Sequence, residues 1–241
     1  HPELGLLMPS DFIPIAESSG LIAQIDAFVL RQACRQLAEW QAAFASARDL
    51  RVAVNVSPRE FRHEALATDL ERILRVTGLP AKRLVLEITE SASMASAGVV
   101  PSVMERLADL GVGIVVDDFG VGYTGLDYFK RFRLDGLKID RSFISGVTRR
   151  PEDLAIVTAT IAFAKALGLS VVAEGIETND QLRLMRSLGC DHGQGYLISH
   201  PLLPAEVGEL LRGRLKLIDP APRRVGQRTH VGAVAMQPPA A

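Results

Sequence analysis

The sequence predicts an α/β protein whose parallel sheet is assembled from βαβ units, and three observations carry that reading. Six short apolar, β-branched runs alternate with helix-length segments, the pattern produced by right-handed crossovers between parallel strands. Four of those segments end on glycine, at Gly78, Gly111, Gly168 and Gly189, where a left-handed C-cap releases the chain into the next strand. Nearly every run also delivers a polar or charged residue at its end, which is how a (β/α) barrel furnishes an active site at the C-terminal face of its strands. A length of 241 residues suits one such domain, since α/β barrels run to roughly 200–250 residues.

Taken in chain order, Ser10 or Asp11 is expected to cap a short helix ending at Gly20. A long helix from about Leu21 to Ala47 follows, with apolar positions at Ile22, Ile25, Phe28, Val29, Leu37 and Trp40, and Trp40 reads as a packing residue. Strands are expected at Val52–Val56, Leu84–Ile88, Gly113–Val116, Gly136–Ile139, Ser170–Ala173 and Gly195–Ile198. Helices are expected at Glu64–Thr77, Val99–Leu110, Glu152–Leu167 and Asn179–Leu188. After Ile218 the chain becomes rich in Pro, Ala and Arg. Residues 1–214 therefore read as the ordered domain and 215–241 as a disordered tail.

Composition narrows the function classes. With 27 basic and 28 acidic residues, a net charge of −1 argues against partners selected by bulk charge, such as duplex nucleic acid or an anionic membrane surface. No run approaches the ~18 apolar residues of a membrane span, and the first residues lack the charged start and apolar core expected of a signal peptide. The segment thus reads as cytoplasmic, or as the cytoplasmic part of a larger protein. Two distant cysteines, Cys34 and Cys190, suit buried thiols better than a disulfide framework.

The chemistry lies at the strand ends. Asn55 closes the first run, Glu87 the second, Asp117 and Asp118 the third, Lys138 the fourth and Glu174 the fifth, while Gln194 opens the sixth. Loops are polar, but an Asn, four acids and a Lys with few hydroxyls among them exceed what loop composition explains. Oxygen donors without His or Cys suit a hard divalent ion, Mg²⁺ or Mn²⁺, rather than Zn²⁺. Consecutive strand residues face opposite ways, yet at a strand's end the turning chain lets Asp117 and Asp118 converge, one carboxylate bridging two ions and the other completing the second. Two ions ~3.5–4 Å apart, clamping attacking and leaving oxygens, are a standard device for phosphoryl-ester hydrolysis. Lys138 would stabilise phosphate charge or orient the water. A Schiff-base lysine would need a depressed pKa, whereas carboxylates around Lys138 raise it. Asp118-Phe119-Gly120 lacks the rest of a kinase signature, and no P-loop is present. The glycines of Gly120-Val121-Gly122-Tyr123-Thr124-Gly125 suggest a loop that couples an interface or lid to the metals.

Asn55-Val56-Ser57, Glu87-Ile88-Thr89-Glu90, Asp117-Asp118-Phe119-Gly120, Leu137-Lys138-Ile139-Asp140, Val172-Ala173-Glu174-Gly175-Ile176-Glu177-Thr178 and Gln194-Gly195-Tyr196 resemble, in order and spacing, the EAL domain, the bacterial cyclic-di-GMP phosphodiesterase family. The resemblance extends from His1 to about Leu211. It implies a TIM-like (β/α) barrel, two Mg²⁺ or Mn²⁺ ions, and hydrolysis of cyclic di-GMP to linear pGpG. It implies that Asn55, Glu87 and Asp117 bind one ion, that Asp117, Asp118 and Glu174 serve the second, and that Glu174 and Lys138 are catalytic. Gln194 and Glu177 would hold metal-site waters or substrate, and Glu90 would anchor the loop after Asp118. A homodimer formed around the Asp118–Gly125 loop is also implied, although Val121 and Gly125 replace hydroxyl residues common there. The family's Glu-Ala-Leu signature, with a metal-binding Glu, belongs upstream of the His-Pro-Glu-x-Gly with which this chain opens. The expectation is a barrel lacking its first two strands, poorly active alone. The alternative is a catalytically inactive cyclic-di-GMP receptor or regulatory interaction module.

Overall fold

In the computed structural model, which describes residues 1–89, 99–121 and 128–213, six parallel strands form one sheet in the order β1 to β6. They are β1 (Val52–Asn55), β2 (Leu84–Thr89), β3 (Gly113–Phe119), β4 (Gly136–Ile139), β5 (Ser170–Ala173) and β6 (His192–Gly193). The helices are α1 (Pro9–Ser19), α2 (Ile22–Ala43), α3 (Ala65–Thr77), α4 (Val100–Leu110), α5 (Tyr128–Arg131), α6 (Arg141–Gly146), α7 (Pro151–Ala166), α8 (Asn179–Leu188) and α9 (Pro204–Leu211). Sequential pairing of neighbouring strands through helical crossovers is the architecture of a TIM-like barrel, here with six strands among the described residues.

The two faces of the sheet follow from strand periodicity and parallel register. Val54, Leu84, Leu86, Ile88, Ile114, Val116, Leu137, Ile139, Val171 and Ala173 are all buried and form the core beneath the helices. The alternate positions make the inner face. Register aligns Asn55 with Glu87, Glu87 with Val115, Val115 with Gly136 and Gly136 with Ser170 as one row. The next row on that face carries Thr89 opposite Asp117, and Lys138 opposite Val172 opposite His192. Polar inner-face residues therefore gather at one end of the strands, as the sequence pattern required.

The structure corrects several boundaries. Met8, not Ser10 or Asp11, is the N-cap of α1, and Asp11 sits at the third helical position, where its carboxylate accepts from the Met8 N–H (2.8 Å). The long helix ends at Ala43, because Phe44 is extended and a 3₁₀ turn over Ala45–Ala47 leads into β1. The apolar run Gly195–Ile198 is not a strand; the sixth strand is His192–Gly193. Gln194 still joins the sheet edge, its N–H donating to Ala173 O and its carbonyl accepting from Ile176 N–H, each at 2.9 Å. Residues 195–199 then curl, with Leu197 N–H donating to Ile176 O and Ile198 N–H to Gly195 O. Gln194 consequently closes a strand instead of opening one. The expected tail, residues 215–241, lies outside the described residues.

The two cysteines are free thiols, and burial pushes Cys34 up to about 12 and Cys190 up to about 11. No helix among the described residues is long and apolar enough to cross a membrane.

A Cβ at Gly195 would collide with the Ile176 backbone, so the close approach that seats Gln194 depends on glycine. Gly195→Ala should destabilise the protein by ~1–3 kcal/mol, read as a lower urea midpoint at unchanged m-value. An unchanged midpoint would show that this contact does not set the conformation of residues 194–199.

Candidate metal centre and active site

Lys138 stands at the centre of the mouth. Its ammonium Nζ lies 2.9 Å from Glu87 Oε2, 3.1 Å from Asp117 Oδ1 and 2.6 Å from Glu174 Oε1. Lys138 is 3% exposed and Glu87 and Asp117 are each 7% exposed. Three strands and the residue after β5 thus bring an ammonium and three carboxylates together where solvent screens them weakly. Burial alone would lower the Lys138 pKa, but Glu87, Glu174 and Asp117 outweigh it and hold the ammonium above its ordinary value. That direction opposes a Schiff-base nucleophile. Burial is also the main influence on Glu87 and Glu174; it pushes both carboxyls up against the opposing attraction of Lys138.

Asp117 and Asp118 reach the same site by a device different from the expected strand end. The strand continues through Phe119, and its register against β4 shifts: Val116 pairs with Leu137, but Phe119 pairs with Ile139. Two residues of β3, Asp117 and Asp118, therefore stand where β4 offers only Lys138, which is a β-bulge. Asp118 takes φ 54°, the single left-handed non-glycine residue among those described, and its N–H donates to Asp117 Oδ1 (2.9 Å). Carboxylate oxygens of Asp117, Asp118 and Glu174 lie within 4.8 Å of one another. Partial desolvation, then repulsion from Asp117 and Asp140, raises the Asp118 carboxyl.

Four acids against one ammonium leave a local excess of negative charge, and every donor is oxygen. This set fits a hard divalent cation, with Asp117, Asp118 and Glu174 as the nearest ligands. Asn55 is exposed at the end of β1, beside Glu87 in register, and extends the inner-face donor row. Gln194 is half-buried at the end of β6. Glu177 is exposed just before α8, where its N–H donates to Gln181 Oε1 (2.8 Å); its carboxylate stands outside the three-carboxylate group. Glu90 and residues 122–127, which include most of the expected coupling loop, lie outside the described residues.

One supporting residue escaped the sequence reading. Asp26 is buried on α2 and its Oδ2 accepts from the Ser57 N–H (3.0 Å), tying down the chain two residues after Asn55. The legible signal was a carboxylate on the buried stripe Ile22, Asp26, Leu30, Cys34 and Leu37.

The shifted carboxyls set a pH dependence. A Glu whose folded pKa is raised contributes stability that is full below its ordinary value and is lost as pH rises through the folded one. Lys138 stays charged throughout this range, so its contribution is constant there. The urea midpoint of the metal-free protein should therefore fall as pH rises above the ordinary carboxyl range, with Glu87 and Glu174 among the groups that set its pace. Lys138→Met removes their attraction and should steepen that fall; parallel profiles for the two proteins would contradict the placement of Lys138 among the carboxylates.

Comparison with known proteins agrees with the site. The EAL domain profile matches residues 1–201. The chain is 44% identical over 212 residues to the cyclic di-GMP phosphodiesterase NbdA of Pseudomonas aeruginosa, covering 88% of this chain and 27% of that protein. It is 42% identical over 206 residues to the bifunctional diguanylate cyclase/cyclic di-GMP phosphodiesterase MucR of the same organism, covering 86% of this chain and 30% of MucR. It thus spans about a quarter to a third of these relatives. The structure of the MucR phosphodiesterase in complex with c-di-GMP superposes with a TM-score of 0.81 at 40% identity, covering 86% of this chain and 83% of that one. With the profile spanning most of the chain, the chain belongs to the EAL domain family.

Proposed function

We propose that the function is hydrolysis of cyclic di-GMP to linear pGpG, slow for this chain alone, with Mg²⁺ or Mn²⁺ held by Asn55, Glu87, Asp117, Asp118 and Glu174. The observation that carries the reading is the β-bulge, beside which carboxylate oxygens of the consecutive residues Asp117 and Asp118 cluster with that of Glu174 and leave the mouth short of positive charge. Support also comes from relatives named cyclic di-GMP phosphodiesterase and from a solved neighbour in complex with c-di-GMP.

Asp117, Asp118 and Glu174, with Asn55 and Glu87, would hold a divalent ion, which would supply water acidified toward neutral pH and positive charge for the phosphate oxygens. The chain's own groups do the rest. Glu174 accepts the proton of the attacking water through the carboxylate oxygen not bonded to Lys138, and its raised pKa suits a general base. Water oxygen bonds to phosphorus, the bond from phosphorus to the ribose 3′-oxygen breaks, and that oxygen takes up a proton. The product carries a 5′-phosphate and a free 3′-hydroxyl. Lys138 keeps Glu87, Asp117 and Glu174 in a fixed arrangement and offers positive charge to the phosphate as negative charge grows. Gln194 and Glu177 hold substrate or metal-site water.

Incubation of the protein with cyclic di-GMP and Mg²⁺ or Mn²⁺, followed by chromatography, should yield pGpG, and chelation should abolish it. Glu174→Gln should lower turnover by ~10²-fold or more, and Glu87→Gln should raise the metal concentration needed for half-maximal activity. Binding of cyclic di-GMP with no pGpG at any metal concentration would make this domain a receptor and overturn the catalytic reading.

A further inference from the structure

The bulge at Asp117–Asp118 needs a cause, because left-handed backbone at a non-glycine residue persists only where its surroundings over-determine it. One extra residue in β3 reverses the alternation beyond it. Phe119 then pairs with Ile139, a residue of the helix-facing side, and its ring enters the helix layer. There it meets Phe129 of α5 edge-on, with ring centroids 5.6 Å apart and planes at 84°, and lies nearly parallel to Phe163 of α7 at 6.3 Å and 6°. Phe129 and Phe163 meet each other edge-on at 5.1 Å. Every pair in the trio is in aromatic contact. Gly120 follows at φ 100°, where an added Cβ would come within 3.0 Å of the Phe143 ring of α6.

Straightening β3 by one residue would move Phe119 toward the polar mouth and Asp118 toward the apolar helix layer, so the trio penalises the regular strand twice. We propose that Phe129 and Phe163 are positioning residues: by gripping Phe119 they hold the bulge that points both Asp117 and Asp118 at the metal site. Neither ring supplies a donor, and each acts through Phe119. The trio also joins the metal-binding strand mechanically to α5 and α7. This inference rests on the metal-dependent reading of the mouth for its consequence, though not for its geometry.

Native-state amide exchange at Asp118, whose N–H is bonded to Asp117 Oδ1, reads the bulge without metal. Mn²⁺ titration followed by electron paramagnetic resonance reads its consequence. Phe163→Ala should accelerate exchange at Asp118 and weaken Mn²⁺ binding, each by about tenfold, with Phe163→Leu intermediate. Ile73→Ala, a buried truncation on α3 away from the mouth, serves as the control for general destabilisation and should leave both readouts near those of the unsubstituted chain. Equal exchange at Asp118 and equal Mn²⁺ affinity in Phe163→Ala and Ile73→Ala would overturn the proposal. Accelerated exchange in Phe163→Ala, in a chain that binds no Mn²⁺ even unsubstituted, would support the aromatic grip and overturn the metal reading of the mouth.

Discussion

A single ammonium within 3.1 Å of three carboxylates, at the end of three adjacent strands, is the contact on which the rest of the mouth depends. Ions removed from water lose several kcal/mol of solvation each, so a buried Lys138 requires its acids as much as they require it. The match is unequal, because Asp118 joins Asp117 and Glu174 without an ammonium of its own. The protein thus pre-arranges a deficit of positive charge at a fixed point. A folded barrel can sustain such a deficit because the strands beneath it are anchored by an apolar layer of Leu, Ile and Val that is almost fully buried.

The geometry of that deficit comes from the backbone. Regular alternation would send one of two consecutive carboxylates into the helix layer, where an unpaired charge is costly. The bulge resolves the conflict locally, and the register of β3 against β4 shows where. Phe119 belongs to the same solution, since the shift that brings Asp118 to the mouth also carries the ring out to Phe129 and Phe163. The order acid, acid, aromatic, glycine can therefore be read as two mouth carboxylates, an anchor and a turn. Asp26 plays a comparable part on the opposite side, its carboxylate fixing the backbone at Ser57 just past Asn55.

Much of this was legible in the sequence. Position at the strand ends singled out Glu87, Asp117, Lys138 and Glu174, and the structure brings all four together. Gly78, Gly111, Gly168 and Gly189 all adopt the left-handed backbone that a C-cap demands. What eluded the sequence was set by tertiary contact. The run Gly195–Ile198 is as apolar as a strand, yet the approach of Gly195 to the Ile176 backbone turns it aside. The bulge leaves no mark in hydrophobic pattern, because one extra residue shifts pairing without changing composition. Asp26 could have been noticed as a charge on an apolar stripe, but its partner Ser57 lies 31 residues away.

The claim that everything else serves is that the Asp117–Asp118–Glu174 cluster is built to hold a divalent cation. A crystal structure of the protein grown with Mn²⁺, with anomalous data collected near the manganese edge, tests it most directly. Anomalous density within ~2.0–2.3 Å of carboxylate oxygens of Asp117 and Asp118, with Lys138 retained beside Glu87, is the result expected. Saturating Mn²⁺ with no anomalous density at these residues, and Lys138 as the sole cation among the carboxylates, would contradict it.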